Sequence, residues 1–298
     1  MEAALFKDTP ALLVALADPA QQKTAEAAFS QMQKSNPQQL ASELLACVGV
    51  DTIPASSRQL AGVLLKRFAA TKRISGVLGE WSAEAVAGFR ASLWAKLGAE
   101  TSSIVSRALC HAVAEEASIP EQPWPELVGQ CATGLDAAAG SRQAAVALAL
   151  ADALADFDTE KTGAASDAAV ASWAPKLATH VAGTDGDHVV MAARAICKLA
   201  VRCSPAARKR ALAPACCGPV LAATQKLLTN DEELLGVDCL DALVDAAGEA
   251  PAFLAGQAEG LLQLVGAAAR ADAFEPETRS RALEVALALS EAAPAVAR

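Results

Sequence analysis

The groups in this 298-residue chain that could carry chemistry are three histidines, eight cysteines and a surplus of carboxylates. His111, His180 and His188 fall on different predicted elements, with neither His-Glu-x-x-His spacing nor an obvious Cys–His pairing. Zinc hydrolysis and thiol-protease chemistry therefore lack the residue arrangement they need. Asp156-Phe157-Asp158 and Glu115-Glu116 bring carboxylates together, but acids are favoured at helix ends and turns on electrostatic grounds and do not by adjacency form an acid–base pair. Neither Gly-x-x-x-x-Gly-Lys-Ser/Thr nor a Gly-rich strand-to-helix fingerprint is present, so no phosphate cradle, cofactor or metal is expected. This pattern suits a binding protein rather than an enzyme.

Cys47, Cys110, Cys131, Cys197, Cys203, Cys216, Cys217 and Cys239 fall at small apolar positions in helical stretches without paired zinc-type spacing. They read as reduced, buried thiols of an intracellular protein, the vicinal pair Cys216-Cys217 included. The N-terminus has no basic stretch leading into an apolar one, which argues against secretion. Apolar runs such as 144–151 are too short to span a bilayer, so a soluble protein without membrane contact is expected. A net charge of −9, no Tyr, four Trp and seven Phe disfavour nucleic acid, which wants cations and stacking rings. A basic protein partner fits that charge better.

The elements that must position these groups are helices. Hydrophobic residues make up 53% of the chain, and Ala and Leu dominate over β-branched and aromatic types, which favours close-packed helices. Clusters of loop-type residues near Pro19, Ala55, Ser102, Gly140, Gly186, Asp231 and Pro276 each precede an amphipathic stretch. Their spacing of about 36 to 47 residues is the period of two-helix HEAT repeats. The expected fold is an all-α, right-handed α-α superhelix of six to seven repeats, a single solenoid over 1–298 with an N-terminal region at about 10–100 and further repeats over about 101–298.

The predicted helices begin with a short one at 11–16, with Pro19 in the first turn of the next. A third starts at Asn36-Pro37 and pairs with one from Ser56-Ser57 to Phe68. Further pairs are 81–97 with 102–117, 124–135 with 141–157, 166–181 with 188–201, 205–228 with 231–247, and 252–269 with 277–292. Pro214 and Pro219 should kink or split their helix. Residues 158–165, polar and without a hydrophobic period, read as a mobile loop.

Certain residues resemble a known family. Asp18-Pro19 with Thr24-Ala25-Glu26, and then Arg58-Gln59-Leu60-Ala61-Gly62-Val63-Leu64-Leu65-Lys66-Arg67, resemble the opening repeats of importin-β-type nuclear transport receptors. Trp124-Pro125-Glu126-Leu127 resembles that family's Trp-Pro-Glu-Leu element. The segments 240–245, before Glu249-Ala250-Pro251, and 281–293 are similar to the importin 5 (karyopherin β3) branch. The resemblance covers nearly the whole chain, and the order of these motifs carries more weight than any one of them.

The resemblance implies a monomeric receptor that shuttles between cytoplasm and nucleus, carries basic cargo past nucleoporins, and releases it on binding the GTP form of the GTPase Ran. It places Ran on the inner face of the N-terminal repeats, formed by the second helix of each pair. The matching positions are Gln22, Lys23 and Glu26, then Arg58, Gln59, Lys66 and Arg67, then Arg107, Glu115 and Glu116. Each could equally be a solvated helix position. Receptors of this family are expected to be about three times as long, and helix 277–292, apolar at Leu283, Val285, Leu287 and Leu289, lacks a polar outer repeat. The expectation is a fragment, or an end that needs a partner. A HEAT scaffold of the phosphatase-regulatory or tubulin-binding type shares the period and would present Trp81 and Trp124 at turns, where each could also staple a helix start.

Overall fold

Successive helical hairpins make up the whole of the computed structural model, which describes residues 8–75, 81–119, 124–157, 163–164, 166–230 and 232–295 and has no strand among them. The expectation of an all-α protein holds. The chain divides into two compact units, Met1–Pro123 and Trp124–Arg298.

The first unit contains α1 (Thr9–Ala17), α2 (Gln22–Ser35), α3 (Pro37–Val48), α4 (Ala55–Ser75), α5 (Ala83–Ala99) and α6 (Ser103–Ala117). Local chemistry sets their starts. Asp8 accepts the Ala11 N–H at 2.9 Å, Asn36 precedes Pro37 and accepts from Gln39, and Ser82 accepts from Ala85 at 3.2 Å. Leu40, Ala41, Leu44, Leu45 and Val48 recur at helical spacing and are buried. Leu12, Ala15 and Ala25 form a cluster flanked by Phe29 and Met32, which joins α1 to α2. Pro19 does not open α2 as expected. Asp18 accepts the Ala20 N–H at 2.9 Å and holds Pro19 in a turn, so the helix starts three residues later.

The second unit contains α7 (Glu126–Gly134), α8 (Arg142–Leu154), α9 (Asp167–Val181), α10 (Gly186–Arg202), α11 (Pro205–Thr229), α12 (Glu233–Glu249), α13 (Ala258–Arg270) and α14 (Pro276–Ala292). Ser141, Ser166 and Asp185 cap α8, α9 and α10. The short helix Pro251–Leu254 and a 3-10 turn Ala255–Gln257 lead into α13. A π-helical segment, Arg208–Leu212, stands just before Pro214 in α11 and delivers the predicted distortion, because proline has no N–H to return to the preceding turn. By length and composition α11 could cross a membrane, yet half of its apolar window is buried against its neighbours, as in a core helix. The mobile-loop expectation falls largely outside the described residues, as does Asp231.

In each unit the second helices of the pairs pack more extensively on one another than the first helices do: α4 with α6, and α8 with α10, α12 and α14 in turn. The reason is small side chains. A Cβ at Gly62 of α4 would lie 2.9 Å from the Ala108 Cβ of α6, which only a bare backbone permits. The first helices are joined by polar caps instead. Lys176 of α9 donates to the Ala132 carbonyl at 2.8 Å and pairs with Asp136 at 2.7 Å, and Lys226 of α11 reaches the Gly183 carbonyl at 3.5 Å. Cations late in one helix thus satisfy the open carbonyl end of the helix before it.

Candidate protein-interaction surface

The ten positions expected to face a partner divide into three environments. Gln22, Lys23 and Glu26 are exposed on α2, with Gln22 donating to Glu26 at 3.1 Å. Lys66 and Arg67 of α4 and Arg107 of α6 are exposed, and Gln59 is half-buried. Val63 and Ile104, at 40% and 46% exposure, lie beside these cations on the same two helices. The α4–α6 pair therefore offers a strip of lysine and arginine with apolar side chains between them, a composition that suits an acidic or mixed protein surface.

Arg58, Glu115 and Glu116 are instead buried, at 8%, 5% and 1% exposure. Arg58 Nη1 donates to Glu100 Oε2 at 2.8 Å and to the Val48 carbonyl at 3.4 Å, while Glu100 Oε1 accepts the Ser102 N–H at 2.8 Å. Arg90 of α5 meets Glu116 at 3.4 Å. Arg58 and Glu116 tie helices together, and with Glu115 they stand inside the unit rather than open on its surface. Trp81 packs edge-on against Phe89 at 5.5 Å and near Phe68 at 5.9 Å, so its ring joins the start of α5 to α4.

The second unit carries a charge ladder that motif reading did not find. Lys198 of α10 bridges Asp152 of α8 at 2.9 Å and Asp156, just past the end of α8, at 2.8 Å, and Arg281 of α14 bridges Asp241 of α12 and Glu284, each at 2.6 Å. Asp238 and Asp245 flank Asp241 on α12, and all three line a cavity of 210 Å³ shared with Arg194 and Lys198 of α10. The spacing 238, 241, 245 places three acids on one helix face and was the available signal. Burial raises the Asp241 carboxyl above its ordinary range; Arg281 opposes this, and Asp238, Glu284 and Asp245 add to it. A carboxyl raised on folding contributes stability in acid that is lost as pH rises through the raised value. Asp241→Asn is accordingly expected to match or exceed the parent in urea midpoint at neutral pH, with the difference closing as the solution is made acid. A variant clearly weaker at neutral pH would show that the Arg281 bridge outweighs the crowding.

All eight cysteines are buried thiols. Burial pushes Cys216 to about 12, Cys217 to about 11 and Cys239 to about 12, and Cys197 well above its ordinary value, so these thiols are poor nucleophiles. His111 is half-buried. His180 and His188, distant in the motif search, have ring centroids 6.4 Å apart and grip the turn of the preceding hairpin. His180 Nε2 lies 3.0 Å from the Leu135 carbonyl, and the Gly140 N–H, in a residue at φ +78°, lies 3.3 Å from His188 Nδ1. Among the described residues, no group of three or more His, Cys, Asp or Glu is arranged to hold a metal ion. The geometry thus supplies exposed charged positions and packed polar links.

No family model and no curated protein matches this chain. Solved structures do. Kap121p overlays with a TM-score of 0.75 at 19% identity over 95% of this chain and 26% of its own. Kap121p bound to RanGTP gives 0.76 at 17% identity over 96% and 26%, and Kap121p bound to Nup53p gives 0.73 at 18% over 96% and 26%. The chain thus spans about a quarter of the length of these neighbours. At such identity the likeness is one of fold, a karyopherin-type stack of helical hairpins.

Proposed function

We propose that this chain is a portion of an importin-β-like nuclear transport receptor, of the importin 5 type, that binds Ran in its GTP form and takes part in nuclear protein import. The observation that carries this reading is the overlay of nearly the whole chain on Kap121p, a karyopherin solved in complex with RanGTP. The exposed strip of Lys66, Arg67 and Arg107, together with Lys23 of α2, supports it from the side of this chain's own residues. So does the order of the sequence motifs. The role is binding rather than catalysis, in a protein that shuttles between cytoplasm and nucleus as a monomer. Basic cargo suits the net charge of −9, and a nucleoporin is a further partner by analogy with Kap121p bound to Nup53p.

The test is a pull-down of purified Ran by the immobilised chain, with Ran loaded either with a non-hydrolysable GTP analogue or with GDP. Capture of the GTP form alone is the expected result. Equal capture of both forms, or of neither, rejects the reading.

A further inference from the structure

A cleft of 660 Å³ opens in the second unit between α11 and the turn that leads into α13. Its size falls within the range of about 300–1,000 Å³ of built ligand pockets. Pro214 and Pro219 of α11 form one wall, and Phe253 and Gly256 the other. A Cβ added at Gly256 would meet nothing within 4 Å, so the space beside it is open. The cleft begins at the π-helical segment Arg208–Leu212, and single π turns inside α-helices are frequent at functional sites.

That segment opens with three successive cations, Arg208-Lys209-Arg210, in a chain whose net charge is −9. Arg208 and Lys209 line the cleft. The Arg208 guanidinium is committed to the end of α10, donating to the carbonyls of Ala200 at 2.6 Å, Cys203 at 3.3 Å and Val201 at 3.4 Å. Lys209 and Arg210 are exposed and have no partner among the described residues. The cleft thus joins an apolar interior to the Lys209 ammonium at its edge, with the exposed Arg210 next to it in the chain.

We propose that this cleft binds an acidic segment of a partner protein, one large apolar side chain entering between α11 and the turn before α13 while neighbouring carboxylates meet Lys209 and Arg210. The apolar walls select the side chain, and the cations select the sign of its neighbours. The site is separate from the α4 and α6 strip and does not depend on the Ran reading.

The experiment uses the whole 298-residue chain and a fluorescein-labelled peptide with one phenylalanine between pairs of aspartates, followed by anisotropy. A second peptide carries lysines in place of the aspartates. Saturable binding of the acidic peptide and little binding of the basic one are expected. Lys209→Glu/Arg210→Glu, at exposed positions, and Gly256→Leu, which fills the cleft, should each weaken binding by about tenfold or more. Gly248→Leu, at an open position of α12, should leave it unchanged. Thermal unfolding of each variant establishes that it is folded. Equal binding of both peptides, or unchanged affinity in either cleft variant, overturns the proposal. Binding of phosphatidylglycerol vesicles that Gly256→Leu abolishes, with no binding of the acidic peptide, overturns it in favour of a lipid.

Discussion

Arg58→Met is expected to destabilise the first unit by about 3–5 kcal/mol in equilibrium urea unfolding, the range for removing one partner of a buried ion pair. The side chain of Glu100 is only 2% exposed, and its Oε2 accepts from Arg58 Nη1 at 2.8 Å. Without the guanidinium, the carboxylate keeps the Ser102 N–H but stays out of water with its main counter-charge gone. Asp51 does not substitute for Glu100 in the converse variant, because it lies 3.7 Å from Arg58 and is 98% exposed. Arg58→Met/Glu100→Leu should regain much of the loss, since an apolar pair of similar volume carries no desolvation penalty. A single variant within about 0.5 kcal/mol of the parent, the ordinary scatter of surface substitutions, would mean that the pair is not buried in solution. The double variant also separates structure from contact. If it folds and captures Ran as the parent does, Arg58 acts only inside the unit; if it folds and fails, Arg58 touches the partner.

Arg58 also shows where the sequence was legible and where it was not. Helix starts could be read because they rest on neighbours in the chain. Asn36 before Pro37, Ser141 before α8 and Asp185 before α10 each satisfy an open N–H two or three residues on, and no distant group is needed. The hairpin period follows from the same local punctuation, which is why the all-α stack was predictable. The direction in which Arg58 points was not, because its partner Glu100 is 42 residues away on the next hairpin. Glu116 turns inward toward Arg90, 26 residues away on the other helix of its own hairpin. Grouping charges by helix and by resemblance could not separate Arg58, Glu115 and Glu116 from Lys66 and Arg107, since packing of one helix on another decides which of them water reaches. The π segment shows the intermediate case: Pro214 and Pro219 announced a distortion, but not that it would leave a cleft against the turn before α13.

With the buried charges set aside, the sharpest test of the partner surface is Lys66→Glu/Arg107→Glu. Both side chains are exposed, and neither has an ion-pair partner among the described residues, so their reversal leaves no internal bridge broken. If the strip receives an acidic or mixed face of Ran, reversal sets like charges against each other at the contact. The cost is several kcal/mol, enough to weaken capture of the GTP form by about a hundredfold or more. Arg202→Glu/Arg270→Glu is the matched control. Both residues are exposed in the second unit, and the pair changes the net charge by the same amount. Long-range attraction between whole proteins scales with net charge and is screened by salt, so it would weaken equally in the two variants. A specific contact would fail only in the first, and would stay lost at physiological salt. Equal losses in both variants would therefore refute the assignment of the α4 and α6 strip, even if the chain captures Ran, and would move the search for the contact to α2, where Lys23 and Glu26 stand exposed.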